Sequence, residues 1–439
     1  MHRPSDQFEV PFGYGAIRFS LPDGVSGSVA RSRTVPTLPD PAAAAEKAIS
    51  SPIDSPRLAD LARGKKSACI AVTDATRNCP DHLLVPPMLR ELEVAGVPDE
   101  GITILVAVGT HRASTEAEKR AKLGDEIVDR YRVIDHDASN HAGLVKVLDG
   151  HGGVPFLLSR LAVEADILLA TGRVEPHQYA GFSGGGKTVA IGCASDAIIA
   201  YTHGPAMLDL PGTRLARLQG NPFQSAVRDV ARAAKLAYVA NIVMDDNDNV
   251  VAIGYGSPEG VQDHLAGIAT EMYTSEIPAQ FDLAVAGVGH PKDVNLYQAS
   301  RAASYLQFGP VPVVRQGGVI IIPAACPEGA GEGAGEKRFR EAMQHPGGPE
   351  GILADARANG ILPGEQRAYI MASVFTDVTV IVAGVEHPDE ARSMGFVPAE
   401  SIEEALELAV GRVGRPASAL IVPHALLTLP VIARNSAAA

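Results

Sequence analysis

Titratable and hydrogen-bonding side chains follow four apolar segments of this sequence, at the points where the segments end. In an open α/β sheet, ligands bind outside the carboxyl ends of the strands, so side chains in these positions are expected to share one site. Histidine can move protons near neutral pH, and arginine can hold a carboxylate through two parallel hydrogen bonds. Asp and Thr after a strand are also common helix caps, so the prediction depends on the clustering of these residues. The side chains concerned are Asp74, Arg77, Thr110, His111, Arg112, Arg173, Glu175, His177, His290, Lys292, Asp293, Asn295, Tyr297, Gln298 and Arg301.

A glycine-rich run, GFSGGGKT at 181–188, matches the letters G-x-x-x-x-G-K-[ST] of a phosphate-binding P-loop. A P-loop ATPase or kinase is therefore one hypothesis for this chain. A P-loop needs a strand that leads directly into the turn, whereas eight residues, Pro176 among them, separate this run from the apolar segment ADILLATG. The run still predicts a close approach of the backbone to a phosphate-bearing ligand, with Lys187 beside it to bind phosphate or to form a covalent bond.

The elements that must position these residues alternate between short β-branched segments and helical patterns, which is typical of parallel sheets covered by helices. We therefore predict an α/β fold of two domains with mainly parallel, Rossmann-like sheets and an active site in the cleft between them. Residues 1–270 are expected to form an N-terminal cofactor-binding domain, and residues 271–439 a smaller C-terminal α/β domain. The strands expected are 69–74, 102–109, 165–172, 281–289, 317–325, 379–384 and 418–424.

Local signals add three expectations. The helix predicted over 82–97 is broken early by Pro86 and Pro87. The helix predicted over 114–131 begins at a capping box on Ser114. The Gly/Glu-rich segment 327–337 is expected to be a mobile loop near a site.

Composition excludes several classes of protein. The chain has 439 residues, of which 46% are hydrophobic and 20% charged, so it is expected to fold into packed domains. Its net charge of -13 argues against a nucleic-acid or anionic-membrane surface. Four scattered cysteines without a CxxC pair favour a reducing compartment, and the absence of a signal-like or membrane-spanning apolar stretch favours the cytoplasm.

These segments together resemble one family. TDATR, GTHR, ATGRVEPHQYAGFSGGGK, the later His203 and NLYQASRA are similar to the nickel-dependent lactate racemases and the wider set of 2-hydroxy-acid racemases and epimerases. The resemblance spans about residues 10 to 335. It implies an isomerase, a small-molecule 2-hydroxy acid as substrate, and separate enzymes that supply the cofactor, which recombinant apoprotein would lack.

The resemblance also implies roles for individual residues. Lys187 matches the lysine that holds a pyridinium mononucleotide carrying nickel in a sulfur-carbon-sulfur pincer, and His203 matches the further nickel ligand. His111 and His177 match the acid and base that act on the substrate hydroxyl. The remaining matches are cofactor contacts from Asp74, Arg77, Ser183, Gly184 and Gly185, and substrate contacts from Arg77, Tyr297, Gln298 and Arg301.

The chemistry of the residues agrees with these roles. A pyridinium-like carbon can accept hydride while histidine takes the hydroxyl proton, which gives a 2-keto acid intermediate whose hydride can return to either face. The sequence departs from the family pattern at Arg301, where a lysine is usual, at Thr73, where an acid is frequent, and at Asn78 and Cys79 in TRNCP. A forked donor at Arg301 implies a shifted or different carboxylate. A P-loop enzyme and a non-catalytic ligand-binding protein remain the alternatives.

Overall fold

The computed structural model describes residues 7–150, 153–309 and 311–433. It contains two six-stranded sheets. The first sheet is parallel except for its Val250–Gly256 edge strand, which is antiparallel to its neighbour. Its strands in spatial order are Val250–Gly256, Leu236–Met244, Ile167–Arg173, Ala68–Thr73, Ile102–Ala107 and Arg132–Asp135.

The second sheet is parallel throughout. Its strands in spatial order are Val397–Ala399, Thr379–Ala383, Val314–Pro323, Phe281–Ala286, Ala417–Val422 and Val25–Val29. The strand Val25–Val29 therefore joins a sheet whose other members all lie in the C-terminal half of the chain. The proposed boundary between residues 270 and 271 stays a prediction, and this strand lies outside the sequence range assigned to the second domain.

Short strand pairs complete the β-structure. Three are antiparallel, Gln7–Phe12 with Gly15–Ser20, Leu144–Leu148 with Phe156–Ser159, and Pro176–His177 with Gly181–Phe182, and one is parallel, Thr274–Ile277 with Leu429–Ile432.

Helices cover both faces of each sheet because the strands are apolar on both sides. In Ala68–Thr73, Ile70 and Val72 point into one core cluster while Cys69 and Ala71 point into another. The second of these clusters also contains Ala284 and Ile320 of the second sheet, so the two halves of the chain share a hydrophobic core.

The helices of the first half are Pro41–Ser50, Leu58–Ala62, Asp81–Val94, Glu116–Leu123, Asp125–Arg130, Arg160–Val163, Lys187–Ala190, Asp196–Thr202, Pro205–Leu208, Pro222–Ala233 and Pro258–Tyr273, with 3-10 turns at Asp99–Gly101 and His141–Gly143. Those of the second half are Leu296–Ala299, Arg301–Gln307, Ala334–Met343, Gly348–Asn359, Glu365–Asp377, Pro388–Ser393 and Ile402–Val413. No described helix is long and apolar enough to cross a membrane.

Three local expectations need correction. The helix Asp81–Val94 continues through Pro86 and Pro87, because Leu84, Val85, Met88 and Leu92 on its buried face pack into the core and offset the lost hydrogen bonds.

The capping box lies on Thr115, one residue later than expected, and Gly124, with a φ of 90°, divides the predicted helix 114–131 into two. In the Gly/Glu-rich segment, Glu328 and Glu336 accept hydrogen bonds from Asn295, and a helix begins at Ala334. This segment is therefore tied to the start of the Leu296–Ala299 helix.

Candidate functional site

Three neighbouring strands of the first sheet deliver the predicted catalytic residues at their carboxyl ends. The central one, Ala68–Thr73, leads into the loop that carries Asp74 and Arg77. The strands on either side of it lead to His111 and His177, respectively. The parallel arrangement thus brings these side chains to one edge of the sheet, as expected.

Asp74 and His111 form a hydrogen-bonded pair. Asp74 is buried, and its Oδ2 lies 2.5 Å from Nδ1 of His111, whose side chain is 46% exposed. Burial alone would raise the pKa of Asp74, but the hydrogen bond and the charge of His111 outweigh it and lower that pKa below its usual value. An ionised carboxylate accepts only, so Nδ1 of His111 donates and its Nε2 keeps a free lone pair. This is the arrangement of an oriented general base.

His177 is held differently. Its Nδ1 accepts hydrogen bonds from the backbone N–H groups of Tyr179 and Ala180, both at 3.2 Å. The proton of the neutral ring is therefore on Nε2. Burial, reinforced by the positive charges of Lys187 and Arg77, lowers the pKa of His177 well below its usual value. His177 thus presents a hydrogen-bond donor to the site.

The glycine-rich run is a tight turn packed against protein. Its first residues pair with Pro176–His177 in a short hairpin, and its backbone then passes over the first sheet. The N–H of Gly185 donates to Oδ1 of the buried Asn241 at 2.7 Å, and a Cβ on Gly184 would lie 2.5 Å from Val174. The N–H of Ser183 donates to the backbone oxygen of Glu175 at 3.0 Å. These contacts differ from a P-loop, in which the backbone donors are left free for phosphate.

Lys187 begins the short helix that follows this turn. Burial, followed by the charge of Arg77, lowers its pKa to about 7. No carboxylate among the described residues lies within 4 Å of its amino group. A lysine with a depressed pKa and no ion-pair partner is largely neutral just above pH 7 and can act as a nucleophile.

His203 ends the helix Asp196–Thr202 and faces aromatic rings. Its Nδ1 lies 3.0 Å from the backbone oxygen of Ile199, an acceptor, so Nδ1 carries the proton and Nε2 has a free lone pair. Its ring packs edge-on against Tyr179 and Phe223, with centroids 5.5 and 5.4 Å away. A neutral imidazole nitrogen oriented in this way is a suitable metal ligand. Among the described residues, no three His, Cys, Asp or Glu side chains are grouped so as to hold a metal by themselves.

The second half of the chain adds further cations. Arg301 donates to the Tyr305 hydroxyl at 3.2 Å and to Oε1 of Gln298 at 3.4 Å. Burial and the charge of Arg301 lower the pKa of Lys292 to about 8. Arg77, Lys292 and Arg301 have no carboxylate partner within 4 Å among the residues that the structure covers. Side chains of like charge gathered in this way form a strong site for an anion.

Tyr297 and Gln298 lie on the short Leu296–Ala299 helix, which is capped by Asn295. The Tyr297 hydroxyl accepts a hydrogen bond from Gln366 at 3.3 Å, and Gln298 contacts Arg301. Arg301 is also near enough to lower the pKa of His177. The predicted substrate residues of the second domain are thus linked to the histidine site through Arg301.

Sequence reasoning missed the residues that hold this site in place. Lys122 makes a buried ion pair with Asp81 at 2.9 Å and donates to the backbone oxygens of Arg77 and Cys79, so it supports the loop after the central strand. Asn241 supports the glycine turn. Both belong to regular elements far away in sequence, and no local pattern distinguishes them from other core or surface residues.

Comparison with known proteins gives the family. Residues 12–215 match the lactate racemase N-terminal domain, and residues 275–429 match the lactate racemase C-terminal domain. The lactate racemase of Lactiplantibacillus plantarum is 33% identical over 387 residues, which is 87% of this chain and 89% of that protein. This chain belongs to the lactate racemase family. It is therefore a racemase by family, and so an isomerase.

Other relatives agree. The lactate racemase of Thermoanaerobacterium thermosaccharolyticum is 31% identical over 429 residues, covering 94% of this chain and 97% of that protein. The structure of its apoprotein superposes with a TM-score of 0.87 at 28% identity, covering 97% of this chain and all of that one. A Thermotoga maritima structure, 21% identical with a TM-score of 0.66, covers 89% of this chain and 98% of its own and shares the fold. The predicted α/β class is confirmed. Lactate racemases as a family depend on nickel.

Proposed function

We propose that this protein racemises or epimerises a 2-hydroxy acid of the lactate type, with His111 and His177 acting on the substrate hydroxyl. The main support is that His111 and His177 follow the strands on either side of Ala68–Thr73, with Lys187 close enough to lower the pKa of His177. A relative that aligns over 97% of its own length is a lactate racemase. The P-loop alternative is disfavoured because protein groups occupy the N–H donors of Ser183 and Gly185.

The residues present suit a lysine-tethered nickel-pincer nucleotide. Lys187 offers an unpaired amine with a pKa of about 7 for covalent attachment, and His203 offers a free Nε2 for nickel. Asp74, Arg77, Ser183, Gly184 and Gly185 are the proposed neighbours of this nucleotide. When bound, the group would accept and return hydride at C2 of the substrate, which is chemistry that no protein side chain supplies.

The side chains then have separate tasks. Nε2 of His111 takes the hydroxyl proton, and Asp74 stabilises the imidazolium that results. His177 donates a hydrogen bond from Nε2 to the same oxygen as it becomes a carbonyl in the 2-keto acid. Arg77 and Arg301 bind the substrate carboxylate, and Tyr297 and Gln298 orient it.

The test is intact-protein mass spectrometry with nickel analysis, on protein co-expressed with cofactor-synthesis enzymes. We expect a nucleotide-sized adduct on Lys187, about one nickel per chain, and racemisation of a 2-hydroxy acid. Lys187→Ala should lose the adduct, whereas Lys146→Ala, which removes an exposed lysine paired with Asp149, should keep it. An adduct that persists in Lys187→Ala, or ATP binding without adduct or nickel, would refute the proposal.

The cofactor-synthesis enzymes and the cytoplasmic location belong to the same proposal. The four cysteines are free and buried, which is compatible with a reducing compartment.

A further inference from the structure

A buried cation of the second domain has no assigned role. Arg367, on the helix Glu365–Asp377, is 7% exposed, and no carboxylate among the described residues lies within 4 Å of it. Its Nη1 donates only to neutral acceptors, Oε1 of Gln178 at 3.3 Å and the Ser304 hydroxyl at 3.1 Å. Its Nε is fully buried without a partner. A buried charge is costly unless an opposite charge pairs with it.

Gln178, in the first domain, is also a buried side chain with an unpaired donor. It is 4% exposed, it lies between His177 and Tyr179 in the sequence, and its Nε2 has no hydrogen-bond partner. Two touching side chains, Arg367 and Gln178, therefore each retain an unpaired buried donor. Buried donors are rarely left unpaired in folded proteins, so a pair of them beside a proposed catalytic histidine indicates that oxygen acceptors arrive with a ligand.

A second guanidinium lies in the same neighbourhood. Arg301 is on the same short helix as Ser304, and its guanidinium carbon lies 5.6 Å from the centre of the Tyr305 ring. Burial raises the pKa of Tyr179, and the charges of Arg367 and Arg301 both act against that increase, so both cations lie near its hydroxyl. Lactate has one carboxylate, which one of these guanidiniums would satisfy.

We propose that the substrate is a 2-hydroxydicarboxylic acid, whose C1 carboxylate pairs with Arg301 and whose distal carboxylate pairs with Arg367 and Gln178. This inference rests on the proposed function, since it names the substrate class of the same site. Arg367 is a specificity-determining residue in this scheme, and the unpaired donors are satisfied when the second carboxylate binds.

The experiment compares substrates of equal length on cofactor-loaded enzyme. 2-Hydroxysuccinate and 2-hydroxybutyrate both have four carbons, but only the first has a distal carboxylate, and lactate serves as the short reference. We expect kcat/KM for 2-hydroxysuccinate to exceed that for 2-hydroxybutyrate by about 10- to 100-fold, the range of one charged hydrogen-bonded contact.

Variants assign the effect to Arg367. Arg367→Met should raise KM for 2-hydroxysuccinate about 10- to 100-fold and lower kcat/KM for lactate far less, because lactate has no distal carboxylate. Arg367→Lys should restore part of the loss, because it keeps the charge but not the fork. Arg338→Met is the matched control. Arg338 lies on the helix Ala334–Met343 and donates to the backbone oxygen of Pro363.

The outcomes separate the two proposals. If the enzyme racemises lactate and 2-hydroxybutyrate at least as well as 2-hydroxysuccinate, the dicarboxylate inference fails and the proposed function stands. If no 2-hydroxy acid is racemised by nickel-loaded protein, the proposed function fails. If Arg367→Met folds but loses the nucleotide adduct, Arg367 serves the cofactor and the inference is wrong. Because the wild-type substrate comparison needs no variant, misfolding of Arg367→Met leaves the test intact.

Discussion

The two histidines of the site differ in what holds them, although they follow strands on either side of Ala68–Thr73. His111 is half exposed and donates from Nδ1 to a carboxylate, so its Nε2 is free to gain a proton and the resulting charge is stabilised. His177 accepts at Nδ1 from two backbone N–H groups, so it can gain a proton only by giving up both bonds. One residue type thus serves as a base at one strand end and as a donor at the other.

This difference has a consequence for a racemase, which must accept both enantiomers. Removal of the hydroxyl proton from one enantiomer can use His111 as it stands. If His177 takes the proton from the other enantiomer, the turn at Tyr179 and Ala180 must first rearrange. The comparison therefore predicts unequal kcat values in the two directions even though the equilibrium constant between enantiomers is one.

The largest effect is expected from removing either ring. His111→Ala and His177→Ala should each lower kcat of loaded enzyme by about 10²- to 10⁴-fold, because each loses a group that acts on the reacting oxygen. Turnover in both directions measures this, and the adduct mass confirms equal loading. Full activity in either variant would remove that residue from the mechanism.

Replacement of Lys122 tests how the loop that carries Asp74, the partner of His111, is held in place. Lys122→Met leaves the fully buried Asp81 without its ion pair and should reduce the free energy of unfolding by about 3 to 5 kcal/mol. Thermal unfolding measures the change, and the double variant Lys122→Met/Asp81→Asn should recover part of it. A melting temperature equal to that of the wild type would show that this pair does not hold the Arg77 loop.

Neutralising the Asp74 carboxylate tests whether His111 and His177 have different roles. Asp74→Asn should lower kcat by about 10²-fold, the lower end of what general acid-base catalysis contributes, because the amide no longer stabilises protonated His111 or fixes its tautomer. The loss should be greater in the direction that uses His111 as base. An equal loss in both directions would contradict the assignment of distinct roles.

The smallest expected effect is a change in the pH dependence of acylation at Lys187, whose charge acts on His177. Because burial lowers its pKa to about 7, acylation of apoprotein Lys187 should change little between pH 9 and 8 and decline as the pH falls through about 7. A lysine with the usual pKa of about 10.4 should already lose about tenfold in rate between pH 9 and 8. Peptide mass mapping after brief acetic anhydride treatment measures both, and parallel profiles would contradict the lowered pKa.

Much of the fold could be predicted from the sequence because each buried strand is a short run of β-branched residues between polar segments. The strands expected over 69–74, 281–289 and 379–384 correspond to Ala68–Thr73, Phe281–Ala286 and Thr379–Ala383. The predicted and observed ends of these strands differ by a few residues. Residues such as Asp74 and Gly287 weaken the apolar pattern without marking the residue at which the strand ends. The partner of Val25–Val29 could not be predicted, since pairing between distant strands has no local signal.

The candidate site likewise contains residues that have a local sequence signal and residues that have none. Asp74, His111, His177 and Lys187 were found because each follows a strand or a glycine turn. Arg367 was not found, because a single arginine within a helical pattern looks like a solvent-exposed residue until the fold buries it. The roles of the predicted residues stay proposals.

The position of Val25–Val29 also affects how the protein is made. Its partner Ala417–Val422 is synthesised about 390 residues later. The second sheet therefore cannot be completed until those residues have been made, and Val25–Val29 stays unpaired on the nascent chain until then. Assembly of this sheet thus depends on residues that are far apart in the order of synthesis.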